Sequence, residues 1–341
     1  MPEDDLDNPN TNRQDRPYQN LNPDKVLDVV ESLGYSVNGQ LLALNSYENR
    51  VYQLGVEDEL PVVVKFYRPA RWRDEAIQEE HDFSYELAEY DVPVALPLKI
   101  NGNTLHNIEG FRLAVYERKP GRAPDLDQSQ SLAQLGRLLA RIHSVGSHGR
   151  FQYRQKLASQ ILGHEARDFV LSSGFLPEYS KESYATITEQ LLQLIDVYFD
   201  EYALPVYRRI HGDFHMGNVL VNDKQFIIVD LDDCLSGPAI QDIWMLLSGE
   251  KHEQESQLRS VIEAYNEFLE FDASELGMVE ALRTLRLMNY TAWLARRWND
   301  PAFPQNFPWF DSPRYWEEHI NSLQEQLFLM QSNDQGLQLI L

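Results

Sequence analysis

The chain has 341 residues, 43% hydrophobic and 11% aromatic, which is ample for a large core and more natural as two lobes than as one. Its net charge of −23, from 30 basic and 53 acidic residues, argues against nucleic acid as a partner. An acidic cleft suits a cationic acceptor or a basic stretch of protein, although acidity also serves solubility alone. Cys234 is the only cysteine, so no intrachain disulfide can form, and a small buried residue is expected there rather than a redox centre. The N-terminus lacks a basic region followed by an apolar stretch, and no run of 18 apolar residues occurs. A soluble, cytoplasmic, monomeric protein with no membrane partner is expected.

Residues 1–21 are polar and acidic, with too few large apolar side chains to order themselves, and read as a disordered tail. A helix starts at the cap Asn22, with Pro23 in its first position, Gly34 as its stop and Val26, Val29, Val30 and Leu33 as its apolar stripe. Three β-rich runs follow at 41–44, 51–54 and 62–66. Lys65 closes the third, and a buried ammonium there needs a partner: nucleotide phosphates or a helix carboxylate. A lysine that guards a sheet edge is the plainer alternative. A helix over 71–90 supplies the candidate carboxylates Glu75, Glu79, Glu80 and Glu86.

Neither G-x-G-x-x-G nor G-x4-G-K-[ST] is present. The loop that would cover phosphates is Asn45-Ser46-Tyr47-Glu48-Asn49, without glycine, where Ser46 either offers its hydroxyl and N–H to a phosphate or belongs to an ordinary turn. Asn101-Gly102 predicts a tight hairpin between 98–100 and 104–105. A fifth strand at 111–117 runs into Arg118-Lys119-Pro120-Gly121, a lobe boundary. The expected organisation is thus a nucleotide-binding lobe at 22–120 and a helical lobe at 121–341. In the second lobe Leu132, Leu135, Leu138, Leu139 and Ile142 repeat at helical spacing. Further helices are expected at 184–202 and at about 253–271, 275–297 and 312–331.

The chemistry concentrates in HGDFHMGNVLVNDKQFIIVDLDD, residues 211–233. Asp213 and Asn218 stand five apart in a glycine-punctuated loop. A hairpin of two short strands, 219–221 and 226–229 with a turn at 222–224, then delivers Asp230. Phosphoryl transfer needs a carboxylate to receive a hydroxyl proton and oxygen ligands to hold Mg²⁺ on nucleotide phosphates. Asp213 fits the first role, Asn218 and Asp230 the second. His211 is expected to support the loop backbone. Asp242, opening an apolar helix in GPAIQDIWMLL, either braces this loop or caps its own helix.

This constellation resembles the catalytic loop and metal-binding strand of the aminoglycoside phosphotransferase and choline kinase group, relatives of the protein kinases. The likeness extends to ENRVYQ, VVKFYRP, EEH, VPVA and ARRWNDPAFPQNFPWF, within residues 23–330. It implies an α+β, two-lobed protein kinase-like fold, with a small β-rich lobe and a larger helical one. It further implies an ATP- and Mg²⁺-dependent serine/threonine protein kinase involved in stress response and survival, acting on proteins with Ser/Thr acceptors. Carried over residue by residue, Asp213 is the proton acceptor and, with Asp230, catalytic. Asn218 and Asp230 are magnesium ligands, Ser46 an ATP-contacting position, and Glu80 rather than Glu79 the partner of Lys65 on the phosphates. A small-molecule kinase acting on an amino sugar, choline-like or amino-alcohol acceptor would use the same residues. A pseudokinase would not need all of them.

Overall fold

The computed structural model of the protein describes residues 17–124, 129–201, 206–222 and 225–332. The expected tail up to residue 16 and the turn residues 223–224 lie outside them. The two expected lobes are present, joined around residues 118–122.

In the small lobe, helix α1 (Pro23–Ser32) begins where Asn22 Oδ1 accepts the Lys25 N–H at 2.8 Å, and Gly34 ends it with φ +101°. Its buried Val26, Val29 and Val30 pack on an antiparallel sheet of order β1-β2-β3-β5-β4. The strands are β1 (Val37–Ala43), β2 (Arg50–Val56), β3 (Val62–Phe66), β4 (His106–Ile108) and β5 (Phe111–Glu117). β1 starts earlier than the sequence suggests, because an irregularity between Val37 and Leu41 breaks its alternation. Residues 17–20, expected in the tail, form a turn, and Leu21 is buried in the sheet's core.

Asn101 and Gly102 do make a tight turn, with φ of +51° and +83° and reciprocal bonds between Ile100 and Asn103. Its flanks are not strands, however. The residues before the turn make only an isolated bridge to β5, Pro97 with Tyr116, and the full pairing on that edge goes to β4 through a reversal at Glu109 and Gly110. Helix α2 (Asp74–Glu89) crosses from the sheet toward the second lobe.

The large lobe is built of α3 (Ser129–Gly146), α4 (Glu165–Ser172), α5 (Lys181–Glu201), α6 (Ile240–Trp244), α7 (Lys251–Tyr265), α8 (Val279–Arg297), α9 (Ala302–Asn306) and α10 (Pro313–Gln331). The leucine stripe of α3 is buried throughout and faces α7. The two helices meet at Gly136, where an added Cβ would lie 2.3 Å from Val261 O. Two short antiparallel pairs interrupt the helices: β6 (Arg208–Ile210) with β9 (Leu235–Gly237), and β7 (Val219–Asn222) with β8 (Gln225–Ile228). No described helix is long and apolar enough to cross a membrane.

Candidate functional site

The β7–β8 hairpin is what brings Asn218 and Asp230 together. Val219 pairs with Ile228, and one step beyond, the Val229 N–H donates to Asn218 O at 3.0 Å. Ile228 is clasped from the other side, its N–H donating to Pro93 O and its O accepting from Ala95 N, each at 2.9 Å. β7 zips onto the interlobe connection through reciprocal Arg122–Val221 bonds of 3.2 and 2.7 Å. Gly121 permits that approach, since a Cβ there would sit 2.8 Å from Leu220 Cβ. Asp230 leaves the hairpin in the left-handed region, φ +58°, a conformation costly for a residue with a Cβ and concentrated at functional sites.

The loop ahead of the hairpin hangs on one buried carboxylate. Asp242, fully enclosed, accepts the His211 N–H at 2.9 Å, the Gly212 N–H at 2.8 Å and His143 Nε2 at 3.0 Å. Of the two roles open to Asp242, the geometry is that of the brace. Burial pushes the His143 imidazole below its ordinary pKa, so it serves Asp242 as a neutral donor while its Nδ1 meets the Tyr265 hydroxyl at 3.0 Å. His211 is also fully buried and reaches Val229 O at 3.1 Å, tying loop to hairpin. Gly212 turns with φ +84°, and a Cβ would collide with Asp233 O at 2.2 Å.

Asp213 is thereby placed beside Asn218, whose Nδ2 donates to Asp213 O at 2.9 Å. Its carboxylate has two partners. Oδ1 accepts from Arg286 Nη1 at 2.9 Å, and Oδ2 lies 3.3 Å from His215 Nε2. Burial works against its charge, but the bonds from His215 and Arg286 outweigh it and hold the carboxyl below the usual carboxylate range.

Lys65, only 6% exposed, meets three carboxylates: Glu80 at 3.1 Å, Asp230 at 3.0 Å and Asp232 at 3.1 Å. Burial alone would strip its proton, yet Asp230, Asp232 and Glu80 together hold it charged. Glu80 is thus the helix partner of Lys65, and Arg154 takes its other oxygen at 3.0 Å. Glu79 instead accepts the backbone N–H groups of Gln152, Tyr153 and Arg154 and so anchors that segment. Asp232 is buried between Lys65 and Arg71, while Arg71 also bonds Asp233 and lies 3.9 Å from Glu48. Ser46 stands on the glycine-free loop with its hydroxyl donating to Asn49 O at 3.2 Å. That loop reaches the carboxylates through Glu48 and Arg71 rather than through Ser46 itself. Cys234 is buried, its thiol pushed up to about 12 by burial, which leaves no reactive thiolate.

Four residues not singled out from the sequence complete the site: Arg71, Arg154, Asp232 and Arg286. Asp232 lay within DLDD; the three arginines had no local signal. The oxygen donors suit a hard cation carried by a nucleotide. Asn218 uses its amide nitrogen on Asp213, which leaves its oxygen the atom able to meet a cation, and Asp230 is half-exposed. Among the described residues no cluster of three or more His, Cys, Asp or Glu forms a metal cage. Mg²⁺ bound through phosphates needs only one or two protein carboxylates.

Comparison with known proteins agrees with this geometry. Residues 40–277 match the model of the phosphotransferase enzyme family (APH). The chain is 43% identical over 314 residues, covering 92% of it and 95% of the relative, to stress response kinase A of Escherichia coli O157:H7. It is 42% identical, covering 91% and 93%, to serine/threonine protein kinase RdoA of Salmonella typhimurium. Among solved structures it resembles a microcompartment-associated aminopropanol kinase, with TM-score 0.69, 19% identity and coverage of 92% and 99%. An amicoumacin kinase in complex with AMP-PNP, Ca²⁺ and Ami has TM-score 0.67, 20% identity and coverage of 88% and 94%.

Proposed function

Because the chain belongs to the phosphotransferase enzyme family, we propose that it is an ATP- and Mg²⁺-dependent kinase that phosphorylates serine or threonine on a protein acceptor, as a cytoplasmic monomer in a stress response. The observation that carries the reading is Lys65, held by Glu80 of the small lobe and by Asp230 of the large one, with Asp230 tied back to the Asp213 loop through the β7–β8 hairpin and Asn218. Lys65, oriented by Glu80, would grip the α/β-phosphates under the loop that carries Ser46. Asn218 and Asp230 would hold Mg²⁺, which neutralises phosphate charge when bound. Asp213 would accept the proton of the acceptor hydroxyl as its oxygen attacks phosphorus in line. The Asp242 brace would keep Asp213 in place with no reorganisation at the moment of reaction.

The name of one relative at 42% identity, a serine/threonine protein kinase, supports the protein acceptor, and the name of another at 43% supports the stress response. A small-molecule acceptor is the second reading, favoured by the names of the structural neighbours. The test is phosphotransfer from Mg·ATP to a basic protein and to an amino alcohol along one salt series. A protein acceptor steered by the acidic surface should lose kcat/KM steadily as salt shortens the screening length below about 8 Å. Salt-indifferent turnover of the amino alcohol, with none of the protein, would overturn the protein-kinase reading.

A further inference from the structure

Arg286 holds the carboxylate oxygen of Asp213 that the acceptor needs. A hydroxyl that gives its proton to Asp213 must share that carboxylate with the two groups now on it, and on approaching Oδ1 it meets Arg286. His215 is local and fixed: its Nδ1 accepts the Gly217 N–H at 2.9 Å, which leaves Nε2 as the donor toward Asp213 Oδ2. Arg286 comes from another element on a long side chain that is 49% exposed, and is the partner free to move. It lies on one stripe of α8 with Tyr290, Trp293 and Arg297, at helical spacings of four, three and four. Tyr290 stacks on Trp293 at 5.7 Å, and Trp293 and Arg297 bond Glu48 of the loop expected to cover the phosphates. The stripe therefore runs from Asp213 to that loop.

We propose that Arg286 is a catalytic residue that leaves Asp213 Oδ1 when the acceptor hydroxyl binds there and moves onto the oxygens of the transferring γ-phosphoryl group. In the step, the hydroxyl proton goes to Asp213 and the acceptor oxygen bonds to phosphorus. The bond from phosphorus to the bridging oxygen breaks, its electron pair leaving with ADP. Arg286 stabilises the negative charge spread over the equatorial oxygens, as a guanidinium fork is suited to do. One side chain thus guards the base while the site is empty and serves the phosphoryl group when it is filled.

The inference rests on the ATP reading above, and the test separates the two. Binding of Mg·ADP is measured with and without fluoroaluminate, a mimic of the phosphoryl group in flight, for the unaltered chain and for Arg286→Ala and Arg286→Lys. Arg286→Ala should bind Mg·ADP as the unaltered chain does, but lose the tightening by fluoroaluminate, with kcat falling about 10²–10³-fold. Arg286→Lys should restore part of the tightening. If Arg286→Ala tightens on fluoroaluminate like the unaltered chain, Arg286 only screens Asp213 and the proposal is overturned. If the unaltered chain binds no Mg·ADP, the ATP reading itself fails and takes this inference with it.

Discussion

Asp242→Asn tests the brace on which the loop depends. The carboxylate accepts three donors, two on Oδ2 (His211 N and His143 Nε2) and one on Oδ1 (Gly212 N). Asparagine has one acceptor oxygen. In its better orientation that oxygen keeps the two bonds at the Oδ2 position, and the new NH₂ then faces the Gly212 N–H, donor against donor. One charge-assisted bond disappears, worth about 1.5–3 kcal/mol, and a buried donor is stranded at about 1–3 kcal/mol. Loss of a buried charge offsets part of this, leaving a net destabilisation of roughly 2–4 kcal/mol. For a chain of this size that lowers the melting temperature by about 3–6 °C. The freed His211–Gly212 backbone should also displace Asp213, and misplacement by about 1 Å costs roughly 10²-fold in rate. Thermal unfolding gives the first quantity, and phosphotransfer well below the transition gives the second. A variant with unchanged melting and unchanged turnover would refute the brace.

Asp213→Asn keeps shape and hydrogen bonding but cannot take a proton, so turnover should fall about 10²–10⁴-fold while Mg·ATP binding survives; near-normal phosphotransfer would remove Asp213 from the chemistry. Asp230→Ala should abolish Mg²⁺-dependent nucleotide binding, whereas Asp233→Ala, which loses only a contact to Arg71, should be mild; equal losses in a binding titration would show that the wrong carboxylate of the turn was chosen. Glu275, 1% exposed, caps the start of α6 at Ile240 N, and burial raises its carboxyl from 4.5 to about 7. The folded protein therefore keeps a proton that the unfolded chain releases, so this group makes stability decline from about pH 4.5 to 7, by roughly 3 kcal/mol, and level off above. Glu275→Gln should flatten that part of the pH–stability curve; an unchanged slope in denaturant unfolding at pH 5 and 8 would refute the assignment.

A net charge of −23 suggested an acidic recess, and around Asp213 and the loop of Glu48 the described groups are mixed: Arg68, Arg71, Arg286 and Arg297 pair with Asp213, Glu48, Asp232, Asp233 and Asp300. Charge summed over a surface does not fix its sign at one point, because the field at contact distance comes from the nearest few groups.

The local devices were legible in the sequence because their physics is local. Asn22, Pro23 and Gly34 bound α1 within a dozen residues. The strand runs pair as alternating apolar stretches do, and a hairpin joins Asn218 to Asp230 by the length of its own strands. Glu80 was reachable as well, one step from Glu79, because a helix sends adjacent side chains about 100° apart and only one can face β3. What the sequence could not determine is everything set by approach across the chain. Arg286 is 73 positions from Asp213, Arg71 is 161 from Asp232, and Asp242 acts on a loop about 30 residues back. Each pairing exists because packing of distant segments carries the two groups to one point, and no spacing or periodicity along the chain encodes that. The hydrogen-bonding capacity of each of these side chains was readable from the start; the partner that uses it was decided only by the fold.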